Sequence, residues 1–234
     1  MRTLHRSSIC ALFTLLLTTI ALGQQDYIGR YDVYTGYMYL NSPVLNLGES
    51  GFHTQVETNP AKWYTLGFDF CIGRGDTNLA TSMMKASVQQ QISQQLSAFG
   101  MTLAAIKPVP EHSRTEEFAM GPAIDYRHFR ALTLFIHPDL GAIHEAAIPI
   151  TTNLTPLDKM LVAEMAPSGT KEQWVYFYGV GGGVDVNATR HVGLRFTVDV
   201  VHDHLFGDLI NPRNTVRFSV GPSFHMGKNL AAQK

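Results

Sequence analysis

Trp63-Tyr64-Thr65-Leu66-Gly67-Phe68-Asp69-Phe70-Cys71-Ile72-Gly73 alternates without a break. Tyr64, Leu66, Phe68, Phe70 and Ile72 take one face, and Thr65, Gly67, Asp69, Cys71 and Gly73 take the other. Side chains repeat with period 2 only along an extended strand, so this stretch is a β-strand with one apolar and one polar face. The pattern recurs at 191–201, where Val192, Leu194, Phe196, Val198 and Val200 oppose His191, Gly193, Arg195, Thr197 and Asp199. It returns at 216–226, with Val216, Phe218, Val220, Pro222, Phe224 and Met226 against Arg217, Ser219, Gly221, Ser223, His225 and Gly227. Weaker versions at about 31–40, 51–58, 116–126, 131–146 and 173–186 complete a set of eight strands. Each is about as long as a tilted strand that crosses a bilayer. Pro138 interrupts the fifth and reads as a bulge, since proline cannot donate to a ladder.

The connections supply orientation. Asn59-Pro60-Ala61-Lys62, Arg127-His128-Phe129-Arg130 and Asn187-Ala188-Thr189-Arg190 are tight turns, whereas about 41–50, 74–115, 148–171 and 203–213 are longer. Short and long alternate strictly, which puts every turn at one end of a closed sheet and every long loop at the other. That is the asymmetry of a membrane barrel with periplasmic turns and extracellular loops.

Period 2 alone leaves the outward face open, because a soluble lipocalin-like barrel alternates in the same way with its apolar face inside. Three features favour the inverted arrangement. The polar face is rich in glycine, which suits a narrow lumen; lysine is nearly absent from the strands; and Tyr31, Tyr37, Tyr39, Trp63, Tyr64, Tyr126, Trp174, Tyr176 and Tyr178 gather toward strand ends. Aromatic side chains collect at membrane interfaces.

Composition agrees with this reading. The 234 residues are 45% hydrophobic but only 16% charged, against roughly 25% charged in an ordinary soluble domain. A net charge of -1 offers no field for nucleic acid. Residues 1–23 read as a secretory signal peptide, with Arg2 and Arg6 before an apolar run from Ile9 to Leu22 and small residues at Ala21-Leu22-Gly23. Its removal leaves 16 basic against 19 acidic side chains in residues 24–234, the barrel domain, and takes Cys10 with it. Cys71 then stands alone, so neither an intramolecular disulfide nor a cysteine-based metal site is expected.

Over about residues 27–227 the chain resembles the small eight-stranded bacterial outer-membrane β-barrel family. Ser219-Val220-Gly221-Pro222-Ser223-Phe224-His225-Met226 is similar to that family's assembly signal in the last strand, although the chain continues through Lys228-Asn229-Leu230-Ala231-Ala232-Gln233-Lys234. The resemblance implies an all-β, eight-stranded antiparallel up-and-down transmembrane barrel in a Gram-negative outer membrane. It further implies contact with outer-membrane lipids and with the assembly machinery through the last strand.

Candidate chemistry is sparse. Asp32, Glu57, Asp69, Glu117, Asp125, Asp185 and Asp199 share the lumen-facing parity with Arg195 and Arg217. Desolvated charges of both signs in a narrow barrel read as a paired plug, with a solute pathway as the alternative. Arg195 faces the Gly181-Gly183-Asp185 lane and can fill the space those glycines leave. His202-Asp203-His204 puts two imidazoles on one strand face, but two ligands do not make a metal site. His112-Ser113 falls in a long loop, away from the lipid-facing strands where a lipid deacylase would need its serine and histidine. Gly181-Gly182-Gly183 precedes no helix and so cradles no phosphate, and Asn153-Leu154-Thr155 is a glycosylation sequon only in a eukaryotic setting. No catalytic, cofactor-binding or metal site is expected.

The second long loop carries a helical insertion at about 76–104. Leu79, Met83, Val88, Ile92, Leu96 and Phe99 recur near every fourth residue, Asp76 or Asn78 can cap the start, and Gly100 can close the end. Its apolar stripe packs on the loop or barrel rim, or serves a partner. The chain therefore reads as a monomeric barrel with a structural or surface-binding role through its extracellular loops. A narrow pore is the alternative, and a soluble periplasmic lipocalin-like barrel a further one.

Overall fold

A computed structural model describes residues 25–232, so the signal segment expected at 1–23 lies outside the described residues. Eight antiparallel strands follow one another around a closed barrel: β1 (Tyr31–Ser42), β2 (Leu47–Ala61), β3 (Tyr64–Leu79), β4 (Val109–Tyr126), β5 (Leu132–Pro149), β6 (Lys171–Asn187), β7 (Val192–Asp203) and β8 (Arg213–Met226). β8 closes on β1, for instance through Val33 opposite Phe224. Two helices lie in the connections, α1 (Ala86–Ser97) and α2 (Pro156–Met165).

The expected parity is present. Leu66 and Phe68 on β3, Val192 through Val200 at every second position on β7, and Phe218, Val220, Phe224 and Met226 on β8 are exposed, while Asp69, Arg195, Asp199 and Arg217 between them are buried. An apolar exterior around a charged interior is the inverse of a soluble barrel. It is stable only where the outer surface meets hydrocarbon, and a closed sheet leaves no unpaired edge there. Tyr31, Trp63 and Tyr126 project outward near the short-turn end, and Tyr37, Tyr39, Trp174, Tyr176 and Tyr178 toward the other.

Several boundaries differ from expectation. The first long connection shrinks to residues 43–46, because Ser42 already pairs with Leu47 across a short 3-10 turn. β3 and β4 extend beyond the bilayer-length pattern and pair as far as Leu79 with Val109. Asp76 and Asn78 therefore sit in β3 and cap nothing, and His112-Ser113 sits in β4. α1 begins only at Ala86, after Lys85, which makes no side-chain capping bond. Ile92 and Leu96 of its stripe are buried, whereas Phe99 is exposed beyond its end. Gly100 does end the turn, with φ +68, a value that a side chain disfavours.

α2 went unread, although its signal is local. Thr155 accepts from the Asp158 backbone amide, Asp158 reaches back to the Thr155 amide, and Pro156 opens the first turn. These are a capping box and a proline that loses no hydrogen bond there. Pro138 makes no bulge. The β4–β5 register is the same at Met120 opposite Leu140 and at Ile124 opposite Ile136, so no residue is inserted. The ladder merely lapses between these pairs, where Pro122 and Pro138 each lack an amide hydrogen.

Candidate functional site

The lumen is built from inward positions two residues apart. All nine charged residues assigned to it from parity face inward, with Glu57 the least buried. Asp185 and Arg195 are direct register partners on β6 and β7. Arg195 donates to both Asp185 oxygens, at 2.9 and 2.8 Å, and lies 2.9 Å from Glu57. It does not fill the glycine lane. A side chain at Gly181 would meet Asp199 and His137, and one at Gly183 would strike the Phe196 carbonyl oxygen first and then the Phe135 ring, 2.7 Å away. Phe135 in turn lies under the Arg195 guanidinium, 4.8 Å from carbon to ring centroid.

Arg217 is the centre of the plug. It donates to Asp199 at 2.9 Å, to Glu117 at 2.6 Å, to Asp69 at 3.4 Å and to the Cys71 sulfur at 2.9 Å. His137 lies between Asp139 at 2.9 Å and Asp199 at 3.3 Å. Towards the turns, Arg127 pairs with Asp125 at 3.0 Å and His225 meets Asp32 at 2.8 Å. Parity reasoning missed Asp139, Glu145 and Arg213, which continue the inward rows of β5 and β8. It also missed Glu49 and Glu111, whose strands were read too short.

Two groups of ligand-type side chains arise in this network, His53-Asp69-Cys71 and His137-Asp139-Asp199. Arg217 touches Asp69, Cys71 and Asp199 and lies 3.9 Å from Asp139, so its guanidinium supplies positive charge to both groups. Their donor sets fit an ion-pair plug. Ser219, His53 and Asp69 form a hydrogen-bonded chain, with Ser219 Oγ 2.7 Å from His53 Nδ1 and His53 Nε2 on the Asp69 carboxylate. The order is that of nucleophile, base and acid. All three residues are buried, however, and the cavity reaching Asp69 holds about 20 Å³, room for about one water.

His202 and His204 gather no third ligand among the described residues. Their rings meet edge to face, His202 Nδ1 bonds Asn214 at 2.7 Å, and the intervening Asp203 turns inward to Arg213. His112 faces outward onto Asp76 at 2.6 Å, while Ser113 faces the lumen.

Both mouths are covered. At the turn end, the Leu230 amide donates to the Ile28 carbonyl at 2.8 Å, and Asn229 accepts from the Ile28 amide at 3.0 Å. Gln25 reaches across to Thr133 at 2.7 Å on β5, the strand opposite β1. The extension past β8 thus folds back over the opening. At the loop end α1 and α2 share an apolar cluster. Met84, Ile92, Leu96 and Ile106 pack against Leu157, Leu161 and Met165. Met84 bridges to Ile210 in the last loop. Asp158 joins the two long loops by accepting from the Lys107 amide at 3.2 Å. Beneath this cap lies a cavity of about 50 Å³, walled by Leu45, Leu79, Met84, Ile106, Leu161, Val162, Met165 and Phe206, with Glu111, Ser113 and Glu145 also lining it.

A closed eight-stranded barrel with this lipid belt, interior and loop asymmetry has solved counterparts. Neisserial surface protein A superposes with a TM-score of 0.51 at 9% identity, over 84% of this chain and 96% of that one. The fold is that of the small eight-stranded outer-membrane β-barrels. OprG of Pseudomonas aeruginosa matches 88% of this chain and 99% of its own at 9% identity and a TM-score of 0.49. Ail of Yersinia pestis, solved with the heparin analogue sucrose octasulfate, matches 84% and 98% at 12% identity and a TM-score of 0.47. No protein-family model and no curated protein sequence matches this chain.

Proposed function

We propose that this barrel is a surface-binding protein whose strands hold an ordered loop cap above the outer membrane. The cap with its apolar cavity carries the reading: two helices from separate loops pack on one another, and α2 with the loop segments flanking α1 lines a cavity over the closed lumen. Ordering 29 loop residues at 80–108 and 21 at 150–170 opposes a large chain entropy, and such order is common in loops that bind. Lipid would cover the apolar belt, and Ser219–Met226 would present the last strand to the assembly machinery.

Cell fractionation with surface proteolysis tests the reading. The protein should stay with outer membranes until detergent is added, and protease applied to intact cells should cut only within 80–108 or 150–170. Full release into the soluble periplasmic fraction, or cleavage confined to the short turns, would overturn it.

A further inference from the structure

The cavity beneath the cap has an apolar wall and an acidic floor, and the one lining acid with no counter-charge, Glu111, decides what it takes. Four acidic side chains gather at this mouth: Glu49, Glu111, Glu145 and Asp203. Arg213 answers Glu145 and Asp203. Lys171 lines the cavity too, but it is turned to Asp208 at 2.6 Å. Glu111 has no such partner. Glu111 is 9% exposed, lines the cavity and makes no hydrogen bond or ion pair with any described residue. Glu49 is fully buried one side chain deeper, where the Ser113 and Thr115 hydroxyls and the Arg213 charge serve it.

Buried acceptors without donors cost free energy until something satisfies them. A group that fits must bring N–H donors and positive charge to the floor and hydrocarbon to the wall. We infer that the cavity binds a small primary alkylammonium, its ammonium on Glu111 and its chain against Met84, Ile106, Leu161 and Met165. The limited volume favours an unbranched chain of few carbons over a ring.

This inference rests on the cap being a binding element, and one titration separates the two. The full chain in lipid nanodiscs, carrying methyl-labelled methionine, is titrated with n-butylamine, n-butanol and butyrate. The Met84 and Met165 methyl resonances report the cavity, and the lipid-facing Met120 is the control. n-Butylamine should shift both cavity methyls with an affinity about tenfold above n-butanol, the scale of one charge-assisted hydrogen bond, and butyrate should bind more weakly than either. Glu111→Gln should reduce the amine to the alcohol's affinity while leaving n-butanol binding intact, which also shows that the variant is folded. Equal affinity of amine and alcohol for the wild type overturns the cation site and leaves the cavity standing. Failure of all three probes to move Met84 and Met165 removes the cavity itself as a binding site.

Discussion

A Cβ added to Gly67 first meets the flexible Glu57 side chain, 3.3 Å away, whereas one added to Gly181 would land on the Asp199 carboxylate beside His137. Both glycines sit on the polar parity, yet only one is enforced by a neighbour. Phe68, one residue along from Gly67, points to lipid. Arginine on a lipid face near the bilayer midplane costs about 2–4 kcal/mol. Phe68→Arg should therefore lower unfolding stability by that amount or block assembly, as read by urea titration of vesicle-inserted protein. Gly181→Ser should also destabilise, by disturbing the Asp199 contacts, and Gly67→Ser should cost less than either. If Phe68→Arg is mild while Gly67→Ser is severe, the faces are reversed. Alternation alone made this parity legible at Phe68 and Asp69. The difference between the two glycines depends on β6, β7 and β5 meeting at one point, which no local pattern encodes.

Among the elements, α2 shows how a readable signal goes unread. Thr155-Pro156-Leu157-Asp158 contains its own start signal, but the helix that follows has only ten residues, too few for a clear apolar periodicity. α1 shows the converse. Its stripe is visible in the sequence, but the start expected from it is too early, because Leu79 belongs to the helical spacing and equally to the alternation of β3. Only pairing with Val109 settles that Leu79 is strand. Asp158 serves both as part of the α2 capping box and as acceptor for the Lys107 amide, so the helix start and the junction between loops are coupled. Loss of a threonine N-cap costs about 1 kcal/mol. Thr155→Ala should then raise the rate of surface cleavage within 150–170 about fivefold, the population change that such a loss implies. Unheated gel mobility, which reports the barrel, should not change. An unaltered cleavage rate would mean that the cap's order does not depend on this helix start.

For the whole molecule, the lumen is closed three times over: by the terminal segments at one mouth, by Arg195 and Arg217 with their carboxylates in the middle, and by the loop cap at the other. Purified protein in planar bilayers should accordingly show no steady conductance. Arg217→Ala should lower unfolding stability by about 3–5 kcal/mol, because the carboxylates it serves would be left buried and unpaired. Steady ion-selective current in the wild type, changed by Arg217→Ala without loss of stability, would identify a pore in place of a plug.

Fold class, face assignment and the end at which the long loops lie follow from the chain itself, since strand periodicity and turn length are local properties. Nine lumen charges were legible for the same reason. The partners of those charges were not, because Arg217 and Glu117 lie 100 residues apart in sequence and meet only when β8 closes on β1 and the lumen narrows. The same holds for the cavity. Its wall comes from β-strand ends and the loops bearing α1 and α2, and its unmatched acid, Glu111, stands out only once every nearby cation is engaged. Charge pairing across a barrel is set by strand number and register, quantities that belong to the closed sheet and to no single strand.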